Sequence, residues 1–316
     1  MSNSAQRMQQ IAHTTIKRTI DTSLFLIKIM VPVSLLVALL GWSGLLEKIS
    51  VVLHPLMRLL GLPGEAALVY ISGALLNNYS AIAVMSSMNL SLHHAIILAV
   101  MCLISHNLIV ETTVMKSIGS SGTKMVILRV GVAFLAGFIL NLILPSSYSE
   151  VQLFRTTAVA HSPFWPMIGA WAISTLKLIG RIILYLLILM LAETLLEQFN
   201  LMERLSRWLG WLMRIFGLKP SMSFLWIVIN IVGYAYGAGI IKAARDEGRM
   251  TAKEGDLFNH HAAISHSILE DTVLYGAISL PVFWLILPRI LLSIIVVWLE
   301  RLRRELYRRS LKAGVA

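Results

Sequence analysis

Two segments of the chain carry side chains that could do chemistry: ISHNLIVET, beginning at Ile104, and ISHSILEDT, beginning at Ile264. Each sets a His five residues before an acid that a Thr follows, and the two copies stand 160 residues apart. An imidazole can relay a proton or ligate a metal, and a carboxylate can do the same. Both segments sit in apolar stretches. A charged side chain at the centre of a membrane helix costs roughly 2.5–3.5 kcal/mol, so an acid placed there is expected to be functional. The candidates are His106, Asn107, Glu111 and Thr112 in the first copy, and His266, Ser267, Glu270, Asp271 and Thr272 in the second.

On an unbroken helix His106 and Glu111 lie about 140° apart, whereas Asn107 and Glu111 share a face. For His and acid to reach one cavity the helix must unwind between them, or the two must line different walls. Glu270 sits four residues after His266 and can pair with it directly, but Val110 occupies that place in the first copy. His106, Glu111, His266 and Asp271 could together hold a divalent metal such as Zn²⁺, although neither spacing matches a standard ligand motif. The plainer readings are an interhelical hydrogen bond for each His, and a capping or inter-repeat hydrogen bond for each acid.

The elements that must position these groups are membrane helices. Hydrophobic residues make up 57% of the 316 and charged residues 14%, with a mean hydropathy of +0.77; soluble domains carry about 25% charged residues. Apolar runs recur at 23–46, 65–85, 92–115, 126–144, 172–196, 223–241, 255–280 and 282–299, each near the ~20 residues that cross a bilayer. The runs are continuous rather than alternating, which excludes an outer-membrane barrel. No short apolar stretch with a small-residue cleavage site opens the chain, so the first helix is expected to be retained. Cys102, the single cysteine, excludes an internal disulfide and a thiolate cluster. The net charge of +11 is read as setting topology and touching anionic lipid rather than nucleic acid.

The chain reads as two copies of one unit. LEKISVVLHPLMRLLGL (46–62) aligns without gaps to MERLSRWLGWLMRIFGL (202–218), with eight identities in 17 positions. Both have the periodicity of an amphipathic helix lying in the interface. Four inserted residues then bring the offset to 160, which holds from Ile71/Ile231 through Gly73/Gly233 and Ser91/Thr251 to Arg129/Arg289. Ser91 and Thr251 are expected to cap helices. GALLNNYSA and GYAYGAGI interrupt their runs with Gly, Asn and Tyr, the signature of a re-entrant hairpin whose tip lines a cavity. With both hairpins re-entrant there are six crossings, and Lys plus Arg divide 19 to 3 in favour of one side; with both spanning, the division is 14 to 8. The positive-inside rule prefers the first. Three crossings per copy is odd, so the copies face opposite ways.

At SHNLIVETTVMKSIG and ISHSILEDTVLY the chain resembles bacterial nucleoside-recognition, or Gate, membrane proteins. That superfamily includes spore-maturation membrane proteins and is related to segments of concentrative nucleoside and ferrous-iron transporters. The resemblance implies hairpin tips at Asn77, Asn78 and Tyr79 and at Tyr236, Gly237 and Gly239. It places helix breaks at 106–112 and 266–272, with a ligand site between tips and breaks. It also implies residence in the bacterial cytoplasmic membrane.

The expected fold is thus an all-α polytopic membrane protein of two inverted-topology repeats, residues 1–150 and 151–316. Each has an amphipathic interfacial helix, a re-entrant hairpin and an interrupted transmembrane helix, and both termini are cytoplasmic. The expected function is a secondary transporter or permease of a small polar solute, nucleoside-like, otherwise organic, or a cation. A proton or cation would couple it, and its partners are the lipid bilayer and the solute, with homo-oligomers an open option. The alternative is a non-transporting subunit binding a partner protein or a lipid-linked intermediate. An enzyme is not expected, since no nucleophile or HExxH pattern accompanies the His and acids. No nucleotide-binding loop is present to couple ATP or GTP.

Overall fold

The computed structural model describes residues 3–154 and 162–313. The first half runs α1 (Asn3–Trp42), α2 (Leu45–Arg58), α3 (Ala66–Leu75), α4 (Asn78–Met85), α5 (Leu92–Ser105), α6 (Leu108–Ile118) and α7 (Gly122–Ile143). After a single turn, α8 (Ser147–Glu150), the second half runs α9 (Phe164–Gln198), α10 (Leu201–Ile215), α11 (Ser223–Ile231), α12 (Tyr234–Asp246), α13 (Ala252–Ala262), α14 (Ile268–Gly276) and α15 (Val282–Ala313). Element for element, α9–α15 follow the order of α1–α7.

Among the described residues five helical segments are long and apolar enough to cross a membrane: Gln6–Trp42, Leu92–Ile118, Gly122–Ile143, Phe164–Gln198 and Val282–Leu311. The second of these runs through α5 and α6 across their break. The run at 255–280, expected as a sixth crossing, divides into α13 and α14, each too short to qualify, and α13 carries Asn259, His260 and His261. A two-stranded ribbon departs from the all-helical expectation: β1 (Leu90–Ser91) pairs antiparallel with β2 (Gln152–Phe154). It ties the segment after α8 to the start of α5, helped by a bond from the Leu92 N–H to the Val151 carbonyl.

Local chemistry explains the element ends. After both amphipathic helices, Gly61 and Gly217 take φ of 67° and 73°. The N–H of Leu62 then bonds Met57 O, and that of Leu218 bonds Met213 O, the six-to-one closure that glycine permits without a Cβ clash. The shared Met-Arg-x-x-Gly-Leu sequence is therefore a helix stop. Ser91 and Thr251 accept from the backbone N–H of His94 and Glu254, capping α5 and α13 as the sequence suggests. Lys219 reaches Glu254 and holds its carboxyl below the usual range, with the Thr251 N–H adding to the effect.

The four-residue insertion lies elsewhere than expected. Helix boundaries stand 156 apart as far as the hairpin tip (Trp42/Gln198, Leu45/Leu201, Leu75/Ile231, Asn78/Tyr234) and 160 apart from α5/α13 onward. The extra residues lengthen α12 relative to α4. The second tip consequently falls at Val232–Gly233, where Gly233 has φ 92°, and not at Tyr236, Gly237 and Gly239. Gly237 lies within α12 beside Ile229, and Gly239 is exposed; the Tyr236 side chain lies outside the described residues.

Helix α5 is the axis of the core, buried continuously from Ala95 to Ser105. Gly73 of α3 lets the chain approach it closely, since a Cβ there would come 2.8 Å from Cys102 Sγ. Helices α1 and α9 lie side by side, joined by a two-pronged Arg18–Glu197 pair at 3.1 and 2.9 Å.

Candidate functional site: a buried His–carboxylate centre

The site is built where α5 gives way to α6 and α13 to α14. At the first break His106 is extended (ψ 158°) and Asn107 is left-handed (φ 52°). At the second, Ser267 is left-handed (φ 48°). Asn tolerates this conformation because its short side chain can bond locally; Ser tolerates it less well. Each break is pinned to its own half's hairpin: the Asn107 N–H donates to Gly73 O at 3.1 Å, and the Ser267 N–H to Ile229 O at 2.9 Å. These carbonyls are themselves 156 apart, independent support for the corrected register. Asn230 adds a bond from the Ile268 N–H to its Oδ1, 3.3 Å, satisfying one of the free donors that open α14.

The breaks put Glu111 and Asp271 in the first turns of α6 and α14, where the helix dipole favours negative charge. They also turn both imidazoles inward. His106 Nδ1 donates to Cys102 O (3.1 Å) and His266 Nδ1 to Ala262 O (2.6 Å); a carbonyl can only accept, so both Nδ1 atoms carry the hydrogen. Both Nε2 atoms then face Glu111 Oε1, each at 3.2 Å. The rings lie 5.0 Å apart. The unwinding required by the 140° separation is what permits this convergence.

Asp271 is held differently. Its Oδ1 accepts from Asn78 Nδ2 at 2.9 Å, while Oδ2 has no hydrogen-bond donor among the described residues and lies 3.9 Å from His106 Nε2. Asn78 in turn accepts from the Tyr275 hydroxyl, 3.2 Å, and Tyr79 donates to Glu270 Oε1, 3.1 Å. The first hairpin tip therefore docks on α14. Glu270 does not pair with His266, because α14 begins beyond the break and carries Glu270 toward Tyr79. Asn77 stays out of the centre and caps α4, accepting from the Ser80 N–H. Thr112 and Thr272 have buried hydroxyls without a partner among the described residues.

Two residues at the end of the aligned repeat, Arg129 and Arg289, are central. Arg129 and Arg289 are fully buried. Arg129 donates to Ile104 O (2.9 Å) and His106 O (2.7 Å), carbonyls freed by the break, and its Nη2 lies 2.7 Å from Glu111 Oε2. Arg289 donates to His266 O and stands 3.9 Å from Asp271 Oδ2. An arginine within an apolar run, repeated at the same offset as the His motifs, was the available signal. Tyr234, aligned with Asn78, also belongs here: its ring sits 5.5 Å from His266 and its hydroxyl bonds Asn259 Oδ1 at 2.7 Å. Asn259 extends that link to Met115 O and Ser120 Oγ.

The arrangement offers two imidazole lone pairs and two carboxylates to a proton or cation, with two guanidiniums balancing the acids. Beside it, a mostly apolar cavity of about 650 Å³ reaches Asn230 and Thr272, with Trp226, Ile231, Leu269 and Val273 in its wall.

A family model described as "Nucleoside recognition", Gate, matches residues 23–123. YvoD of Bacillus subtilis (strain 168), described as an uncharacterized membrane protein, is 30% identical over 272 residues, spanning 85% of this chain and 87% of its own. No solved structure matches the chain. With five candidate spans and that relative, the chain is a multi-pass helical membrane protein, and it belongs to the nucleoside-recognition (Gate) family.

Proposed function

We propose that the protein is a secondary transporter of a small polar solute, coupled to a proton or cation, in the bacterial cytoplasmic membrane with both termini inside. In this reading residues 1–150 and 151–316 are inverted repeats, and the short pairs α3/α4 and α11/α12 are re-entrant hairpins. The observation that carries it is the buried centre where two helix breaks and a hairpin tip meet. Interrupted helices presenting free backbone groups and ionisable side chains at one point are the physical solution that alternating access uses. A purely structural role explains less well why two carboxylates, two imidazoles and two guanidiniums are kept in one dry place, since buried ion pairs are often replaceable by apolar residues at no loss of stability.

The test is flux in proteoliposomes loaded with a pH-sensitive dye, challenged with uridine, other nucleosides, amino acids and divalent cations. Wild-type protein should move one of these classes with an accompanying pH change. Asp271→Asn keeps an acceptor for Asn78, so it should stay folded and lose at least about tenfold in flux, some 1.4 kcal/mol of function. No flux of any class by correctly folded protein favours the non-transporting subunit instead.

A further inference from the structure

We propose that His106, His266 and Glu111 form a binding site for a divalent first-row transition-metal ion, with Asp271 as its adjustable fourth ligand. The proposal deepens the transport reading by naming what the centre holds, but binding can be measured without flux.

The argument begins with lone pairs. Both Nδ1 atoms are committed to backbone carbonyls, so a neutral ring offers only a lone pair at Nε2. Both lone pairs aim at one carboxylate oxygen, Glu111 Oε1, which also has only lone pairs when ionised. Such an approach needs a shared positive centre. One proton, on either Nε2 or on Glu111, satisfies one of the two contacts and leaves the other lone pair facing lone pair; two protons would make two imidazoliums 5.0 Å apart beside the buried Arg129. One divalent ion serves all three atoms at once.

The spacing fits. A tetrahedral ion with bonds of about 2.0–2.1 Å separates its ligands by about 3.3 Å; both Nε2 atoms are 3.2 Å from Glu111 Oε1, and the three ligand atoms lie within 4.8 Å of one another. The surroundings fit too. Metal-bound His normally donates its other ring N–H to a carbonyl or carboxylate, as both do here. Arg129 Nη2 lies 2.7 Å from Glu111 Oε2 as a charge contact without hydrogen-bond geometry, so Oε1 is the oxygen turned to the two imidazoles. Asp271 Oδ2, buried and without a hydrogen-bond donor among the described residues, points toward the same place at 3.9 Å from His106 Nε2. It can close a four-coordinate site or yield that position to a solute. Imidazole and carboxylate without thiolate select the class of Zn²⁺, Co²⁺, Fe²⁺ and Mn²⁺; Cys102 Sγ is turned to Val69 O.

A second group with ligand-like geometry, Asp256, His260 and Glu300, makes the contrast. There Glu300 already pairs with Lys124, Arg303 and Arg304, and Asp256 with Arg304. There cationic side chains hold both oxygens of Glu300, whereas at Glu111 the arginine meets Oε2 alone and Oε1 faces only the imidazoles.

The experiment uses purified full-length protein in detergent, stripped with EDTA and titrated with Zn²⁺ and Co²⁺. One ion per chain should bind with Kd below about 10 μM. His106→Gln and His266→Gln should each weaken binding at least about 100-fold, the upper range for loss of even a supporting partner. Asp256→Asn should leave it unchanged. Zinc-edge X-ray absorption of the wild-type protein should show two imidazoles, a readout that stands even if a glutamine variant misfolds. Absence of stoichiometric binding, glutamine variants that bind normally, or an all-oxygen shell overturns the site. Binding without flux of Zn²⁺ or of any solute leaves the site standing and overturns the transport reading; solute flux by a chain that binds no ion does the reverse.

Discussion

The two helix breaks use the same parts unequally. At the α5/α6 break Glu111 lies close to three basic groups, His106, His266 from the other half and Arg129 at 2.7 Å. At the α13/α14 break Asp271 stands 3.9 Å from its arginine and takes its firm bond from Asn78 of the first hairpin. The hairpins differ to match. The first tip reaches across to α14 through Asn78 and Tyr79, whereas Tyr234, at the matching place in the second, turns to Asn259 of its own half. One acid meets both imidazoles and an arginine, and the other takes its hydrogen bond from the first hairpin. If the proposed centre works as inferred, the first break is its fixed half and the second its adjustable half.

The largest test of that contrast removes the arginines. Arg129→Gln strands a buried carboxylate and two freed carbonyls and should cost about 3–5 kcal/mol, the usual penalty for breaking a buried pair. Arg289→Gln loses a looser pair and should cost about 1–3 kcal/mol. Thermal unfolding of the purified variants measures both, and equal losses remove the asymmetry.

A smaller effect is expected at the hairpins. Asn78→Ala removes the donor to Asp271 Oδ1 and the acceptor of the Tyr275 hydroxyl and should destabilise by about 1–3 kcal/mol, and it leaves Tyr79–Glu270 to hold the tip on α14. Tyr234→Phe loses one bond within its own half, about 1 kcal/mol, and none between the halves. Limited proteolysis and cysteine labelling near each tip separate the two outcomes; if both tips stay equally protected, the first hairpin is not the adjustable one.

The smallest effect concerns the backbone of the breaks. Ser267 and Asn107 both have positive φ, and glycine adopts that region freely. Ser267→Gly should stabilise by about 0.5–1 kcal/mol, while Asn107→Gly should gain less because Asn already tolerates the region. The shift in melting temperature of each variant decides whether only the second break stores strain.

Much of this was legible in the sequence because it is local. The His-to-acid interval demands a break if both groups face one cavity, and the break is there in both halves. Ser91, Thr251 and the Gly-Leu stops carry their cap chemistry in the residue types themselves. The insertion was not legible. Ile71/Ile231 and Gly73/Gly233 match by chance at offset 160, because apolar helix faces accept many residues and identities there hold little information. Only the Asn107–Gly73 and Ser267–Ile229 backbone bonds show that the tip still runs at 156 and falls at Gly233 and Tyr234, not at the Tyr236, Gly237 and Gly239 that the resemblance implies.

The amino-acid sequence by itself determined a multi-pass helical class, two copies of one unit, and a His with a carboxylate at each interruption. Composition, period and spacing act along the chain, and these properties follow from them. The tertiary structure alone decided that both His share Glu111, that Asp271 answers to Asn78, and that Arg129 and Arg289 close the centre. Those contacts join residues 155 and 193 positions apart. Spacing sets where a side chain sits on its helix, but the packing of α5, α6, α13 and α14 sets which side chains finally face one another.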